Sequence, residues 1–398
     1  LRIPDIDIIC CPASYWHRSL DGVSASQTGI DSVRLNGKLM VHSIDNTTYE
    51  ANKNPYAQLL HNLHCVHENM EQSINYVKRE TAMAISKGAG FWFFDMYGGW
   101  YPEKEHRAEL CKMKNAYSEV FSKPVTYNAE VAMVIDSKSY IYTEKGQTFR
   151  NENISLQMTQ LGKIGCPVEY LSVYDILLDS FDAKKYKLLI FSDSFAPTDE
   201  IRKAVEKLRQ CSVSMLFTNA AGAICEDGFS LDRATEFCGV TLSFDYDEPG
   251  AILVDEAHSG EGYPKLYGDP RKGKITPIIK AEGDEVWGRD FFSGEGRLVV
   301  NNREKGFDAW SMRGTIPRGV LRKLAEKAGV FLYHNHEIPT YANSAMAAFF
   351  SHKGGKLEIK FPYKGKIREY YTGEEFLSDG SPVLINFGEN QCKLFIYQ

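Results

Sequence analysis

Apolar runs and helical spacing alternate through the first 120 residues. Ile3 to Cys11 reads as a buried strand ending at Pro12, and Leu39 to Ile44 as a second short strand, ending at Asp45. Phe91-Trp92-Phe93-Phe94 is a third; four large apolar residues in a row suit a strand buried on both faces, as in a parallel sheet. Met70, Ile74, Val77 and Ala84 fall on or near one face of a helix over 68–87. Leu110, Met113, Tyr117 and Val120 predict another over 102–121. Residues 1–121 thus read as strand, loop, strand, helix, strand, helix: a parallel βα series with too few strands to close a sheet around itself.

Ser122-Lys123-Pro124 marks a boundary, and the alternation resumes beyond it. Strands are expected at 130–135, 168–171, 188–191 and 214–218, with helices at 154–164 and 198–210. Thr198 is a natural cap for the latter, with Asp199 and Glu200 in its first turn and Ile201, Val205 and Leu208 on one face. Strands alternating with helices imply a doubly wound parallel sheet. Residues 226–300 are rich in glycine and acids and read as short strands and loops, at 251–254, 275–279 and 298–301. A helix at 318–327 is closed by Gly329. From Val330 the pattern shortens to alternating segments at 347–351, 356–361, 383–387 and 393–397, separated by glycine turns, as in a small antiparallel β domain.

Composition narrows the class. A length of 398 residues suits two or three domains, and 43% hydrophobic with 25% charged residues is that of a soluble globular protein. The net charge of −6, with no basic block, argues against a nucleic-acid partner. No apolar run reaches the roughly eighteen residues of a membrane span. The nine cysteines are scattered and never spaced C-x-x-C, which weighs against a disulfide framework or a structural zinc. A reducing, cytoplasmic compartment is expected, with secretion or periplasmic export left open. The chain opens at Leu1 without a signal peptide or initiator Met, and is expected to be a fragment or a processed product.

The chemistry concentrates at the ends of the first three strands. Asp95 follows the third strand, where parallel-sheet enzymes keep their reactive groups; capping the next helix is its alternative role. Tyr15, Trp16, Tyr97 and Trp100 offer flat faces to a ring-shaped ligand, with core packing as the alternative. Arg18 carries a planar charged fork suited to hydroxyls or carboxylates, or to a structural ion pair. His17 and His42 are expected to be structural. His61, His64, Cys65, His67 and Glu68 are close in sequence, but no HExxH accompanies them and no metal is expected. Neither GxGxxG nor GxxxxGK[ST] occurs, so no nucleotide or other cofactor is expected.

Three stretches together resemble the β-galactosidase-type glycosidases, family 42 of the glycoside hydrolases and its relatives. They are Pro12-Ala13-Ser14-Tyr15 followed by Arg18, then Asp31 through Leu39 (DSVRLNGKL), then Phe93 through Tyr101 (FFDMYGGWY). The tail adds Tyr341-Ala342-Asn343 and Gly354-Gly355-Lys356. The resemblance covers essentially the whole chain. It implies an α/β fold in three parts: 1–121 as the last three βα units of a (β/α)8 TIM barrel, 122–329 as a flavodoxin- or class I glutamine amidotransferase-like trimerisation domain, and 330–398 as a small β-sandwich domain. It implies a carbohydrate substrate and a homotrimer.

Such glycosidases use two carboxyl groups, an acid and a nucleophile or base. In the family the acid lies on an earlier strand, outside this sequence, and the nucleophile is a glutamate that aligns here with Ser43; the arginine that often follows aligns with Thr47. A serine without a base is a poor nucleophile, and it cannot balance oxocarbenium charge. Three readings stand: the site is inactive, Asp45 replaces the glutamate, or else the register differs or Glu50 reaches in from the loop. In the middle domain the strand end Phe217-Thr218-Asn219-Ala220-Ala221-Gly222 lacks a cysteine at the turn and Cys225 lies beyond it, so no amidotransferase chemistry is expected.

Overall fold

The computed structural model describes residues 3–53, 67–96, 98–143, 151–246, 250–260, 265–268 and 277–398. The chain divides into two compact units. The first joins Leu1–Asn128 to Gly165–Pro167 and the tail Leu332–Gln398; the second is Ala129–Ile164 with Val168–Phe331.

The first unit opens with three parallel strands, β1 (Ile8–Pro12), β2 (Leu39–Ile44) and β3 (Gly90–Phe93), hydrogen-bonded in that order. Between them run the short helix α1 (Ile30–Leu35) and the long helix α2 (Met70–Ser86), and α3 (Lys104–Val120) follows β3. Asn69 starts α2 by accepting the Gln72 N–H at 2.9 Å. Gly88 turns the chain into β3 at φ +71°, and a Cβ there would lie 2.0 Å from the Tyr127 hydroxyl.

The tail is part of this unit's core. Its five-stranded antiparallel sheet runs in the order Thr340–Ala342, Met346–Ser351, Gln391–Tyr397, Gly365–Glu369, Glu375–Ser378. Met346, Ala348, Phe350, Leu394 and Ile396 pack with Ala82, Met83 and Ile85 of α2 and Met40 of β2 in one apolar cluster. Asn343 donates to the Ile85 and Ser86 carbonyls at the end of α2, at 3.3 and 3.4 Å.

The second unit is built on a nine-stranded mixed sheet. Its strands are β4 (Val131–Ile135), β5 (Val168–Ser172), β6 (Leu188–Ser192), β7 (Ser214–Thr218), β8 (Ile252–Val254), β9 (Leu266–Tyr267), β10 (Glu285–Asp290), β11 (Gly296–Asn302) and β12 (Phe307–Ser311). The spatial order is β9-β8-β10-β11-β12-β7-β6-β4-β5. The five strands from β12 to β5 are parallel. Counted along the chain they stand in the order second, first, third, fourth, fifth, which is that of flavodoxin-like doubly wound sheets. The helix Asp199–Gln210 buries Ile201, Val205 and Leu208, and Thr198 caps it by accepting the Ile201 N–H at 3.4 Å. At 154–164, where one helix was expected, a π-helical coil over Asn151–Leu156 leads into an α-helix only over Gln157–Leu161. The helix Arg318–Lys327 has the expected bounds. Of the expected strand at 275–279, residues 275 and 276 lie outside the described residues; the strand found there runs later, over Ile279–Glu282.

Candidate functional site

The three parallel strands present two unlike faces. Paired residues on neighbouring strands point the same way. Met40, His42 and Ile44 of β2 face α2 and are buried. The opposite face carries Ile8, Cys10 and Pro12 of β1, Leu39, Val41 and Ser43 of β2, and Trp92 of β3, with Ser43 in register with both Pro12 and Trp92. Ile8, Leu39 and Trp92 are exposed there, Trp92 to 46%. The apolar run at 91–94 was expected to be covered on both sides; it is covered on one. Phe94 lies edge-on to Trp92, with ring centres 5.2 Å apart.

At the carboxyl edge of this face the structure brings together Tyr15, Arg18 and Asp45. The Arg18 guanidinium forms an ion pair with the Asp45 carboxylate and donates to the Asp45 and Ala13 carbonyls at 3.2 and 3.1 Å. It lies 4.2 Å from the centre of the Tyr15 ring, and the Tyr15 hydroxyl donates to Asp45 at 3.4 Å. Tyr15 and Trp16 are both exposed, on a short helical turn after β1. The group therefore joins a fixed charge, a carboxylate, and two flat aromatic faces with hydrogen-bonding handles. Such a set recognises polyhydroxylated rings, through stacking on C–H faces and hydrogen bonds to hydroxyls.

Two expected site residues are placed otherwise. Trp100 is only 1% exposed; its indole packs among Ile44, Met70, Ile74, Val77 and Met113, so it offers no stacking face. Asp95 is exposed, but its carboxylate turns back on its own loop and accepts the Trp100 N–H at 3.2 and 3.3 Å, across the positive-φ turn at Gly98-Gly99. Tyr97, His61, His64 and Cys65 lie outside the described residues. His67 is buried, with Nδ1 2.8 Å from the Ser73 hydroxyl; burial, aided by the nearby Arg79 charge, lowers it to about 4. Among the described residues no group of three or more metal-ligating side chains converges.

Sequence reasoning passed over a buried polar group behind the site. Arg79 and Glu80 on α2 are both inside the unit. Glu80 lies 3.3 Å from His42 Nε2 and accepts the Ser24 hydroxyl at 2.8 Å. Burial raises the Glu80 carboxyl, but the His42 hydrogen bond and the Arg79 charge outweigh it and hold the group below its ordinary range. The signal was present: Tyr76, Arg79, Glu80 and Met83 fall at core spacing.

In the second unit, the turn after β7 holds Asn219 at φ +56° and the turn after β6 holds Asp193 at φ +59°. Asn219 and Thr218 donate to one Asp193 oxygen at 2.6 and 3.2 Å. Burial, with the Asp136 charge adding to it, pushes the Asp193 carboxyl up to about 7. Cys225 lies past this turn, 3.8 Å from an Arg202 nitrogen.

No sequence-family profile and no curated protein matches the chain. Solved structures do. The β-galactosidase from Bacillus circulans sp. alkalophilus superposes with a TM-score of 0.60 at 12% identity, over 94% of this chain and 62% of that one. The GH42 β-galactosidase Gan42B from G. stearothermophilus gives 0.56 at 14%, over 93% and 55%. The chain has a GH42-like fold. An α-L-fucosidase isoenzyme from Paenibacillus thiaminolyticus shares that fold, with 0.56 at 12%, over 93% and 62%. This chain thus spans less than two thirds of the length of these three solved chains. In the GH42-like fold of this chain no described helix is long and apolar enough to cross a membrane.

Proposed function

We propose that this chain is the C-terminal part of a glycoside hydrolase acting on β-linked sugars, and that β1–β3 with their helices are the last three units of a (β/α)8 barrel. The observation that carries the reading is the parallel sheet with one face packed and the other bare, edged by Tyr15, Arg18 and Asp45. Parallel sheets are normally covered on both faces, and five further barrel strands from a preceding segment would cover this one. The strand ends would then line the sugar site, as in barrels generally. Residues 122–329 would form the flavodoxin- or amidotransferase-like domain through which three copies associate, and 330–398 the closing β domain.

On this reading Tyr15 and Trp92 stack on the sugar, Arg18 binds hydroxyls, and the acid lies on an earlier strand outside this chain. Ser43 stands at the nucleophile's place on the face turned from α2, where it is itself buried. It cannot supply the carboxylate that a two-carboxylate mechanism needs. Asp45, two residues on, is held by Arg18, and a carboxylate so paired is a weakened nucleophile. The same ion pair favours a second reading, a carbohydrate-binding or assembly module without hydrolytic activity. Assay of nitrophenyl β-glycosides is expected to give no turnover by this chain; robust turnover would overturn the barrel-end reading. Calorimetry against galactose, mannose and xylose oligomers separates sugar binding from assembly alone.

A further inference from the structure

The loop 13–26 carries Tyr15, Trp16 and Arg18, yet its own backbone bonds are few. Ser14 N–H reaches the Ala25 carbonyl at 2.8 Å, and Gly22 N–H reaches Ser19 at 2.9 Å. What fills the loop is Arg79. Its Nη1 donates to the carbonyls of Ser19, Leu20 and Gly22 at 3.1–3.3 Å, its Nη2 to those of His17 and Ser19 at 3.4 and 3.3 Å, and its Nε to the Ser24 hydroxyl at 3.3 Å. The guanidinium lies 4.3 Å from the Tyr76 ring centre and 4.9 Å from that of Phe350 in the tail sheet. The N–H of the same Ser24 donates to the hydroxyl of Tyr341, also in the tail, at 2.6 Å. Arg79, His17, Gly22, Ser24 and Tyr341 are buried, whereas Leu20 is half-buried and Ser19 is exposed.

We infer that Arg79 and Tyr341 are positioning residues: the tail sheet and α2 together set the conformation of the loop that presents Tyr15 and Arg18. A planar five-donor fork can serve several carbonyls at once, where an ammonium on a flexible stem cannot. The Arg79 bonds are charge-assisted, and those to His17, Gly22 and Ser24 are buried, so the loop is held more firmly than its sequence of small residues suggests. The tail is then a working part of the sugar edge, reaching it over 317 residues of chain through the Tyr341 contact. The effect on sugar binding rests on the proposed function; the effect on the loop does not.

The test is hydrogen–deuterium exchange, read peptide by peptide on the 398-residue chain, with Tyr341→Phe and Arg79→Lys. Tyr341→Phe removes one hydroxyl and keeps the ring, so it guards against the chance that Arg79→Lys unfolds the unit. The expected result in each variant is exchange at least about tenfold faster across 14–26, with β1–β3 and the second unit at their original rates. Methyl β-galactoside should bind each variant several-fold more weakly than the parent. Unchanged exchange across 14–26 in both variants would overturn the inference, as would acceleration spread evenly over β1–β3. If the parent binds no galactoside, the sugar reading falls, while the exchange result still decides whether the tail positions the loop.

Discussion

Arg18 closes on the carboxylate of Asp45 from 27 residues away in sequence, tying the loop after β1 to the end of β2. Both side chains are partly exposed, so the pair is screened by water and contributes modestly. A double-mutant cycle of Arg18→Ala and Asp45→Ala, followed by urea unfolding, should give a coupling energy of about 1 kcal/mol. A coupling near zero would mean that the two groups do not interact in solution.

Gly22 should not tolerate a side chain. A Cβ there would lie 2.2 Å from the His17 carbonyl oxygen and 2.9 Å from that of Ser19, both fixed backbone atoms drawn in by Arg79. A glycine-to-alanine change in permissive backbone usually stabilises. Gly22→Ala should instead destabilise by roughly 1–3 kcal/mol, the range for overpacking. The sign of the change in urea midpoint checks this.

Acid should loosen the first unit before the second. His67 is held down to about 4 in the fold, by burial first, so the unfolded chain binds more protons between pH 6.5 and 4. Stability from this source is full above pH 6.5 and falls as pH drops through the window, by up to about 3 kcal/mol. Glu80, also held low, adds a further loss at lower pH as its carboxyl protonates. A His67→Phe variant, followed by exchange of α2 amides at pH 7 and 4.5, should show a smaller acid effect than the parent.

Asp193 predicts the opposite slope in the second unit. Its carboxyl is raised to about 7 by burial, so the folded state binds more protons between pH 4 and 7. Stability therefore falls as pH rises across that window, by roughly 1.4 kcal/mol per unit from this group alone. Asparagine tolerates the left-handed backbone at this position and still accepts from Asn219 and Thr218. Asp193→Asn should raise the melting temperature of this unit at pH 8 and change it little at pH 4.

The sequence made the alternation of elements readable because periodicity is local. The helix expected over 68–87 forms over Met70–Ser86, and the second short strand has the bounds Leu39–Ile44. The grouping of Tyr15, Arg18 and Asp45 followed from placing each at a strand end. What periodicity cannot report is which face of a strand has a partner. Phe91 to Phe94 reads the same whether Trp92 is covered or bare, and Trp100 reads the same in a core or on a rim. Arg79 escaped notice because a charge on a helix is usually solvated, and its loop carbonyls are near it only in three dimensions. The tail's role escaped for the same reason, since Tyr341 meets Ser24 only through the fold.

The most direct measurement is fluorine NMR of the chain labelled with 5-fluorotryptophan, titrated with a β-galactoside. The five tryptophans divide by place: Trp16 and Trp92 are exposed near the proposed site, while Trp100, Trp287 and Trp310 are buried. The expected result is a saturable shift of Trp16 and Trp92, abolished by Arg18→Ala, with the other three resonances unmoved. No shift up to tens of millimolar sugar, or a shift that survives Arg18→Ala unchanged, would contradict a sugar site at these strand ends.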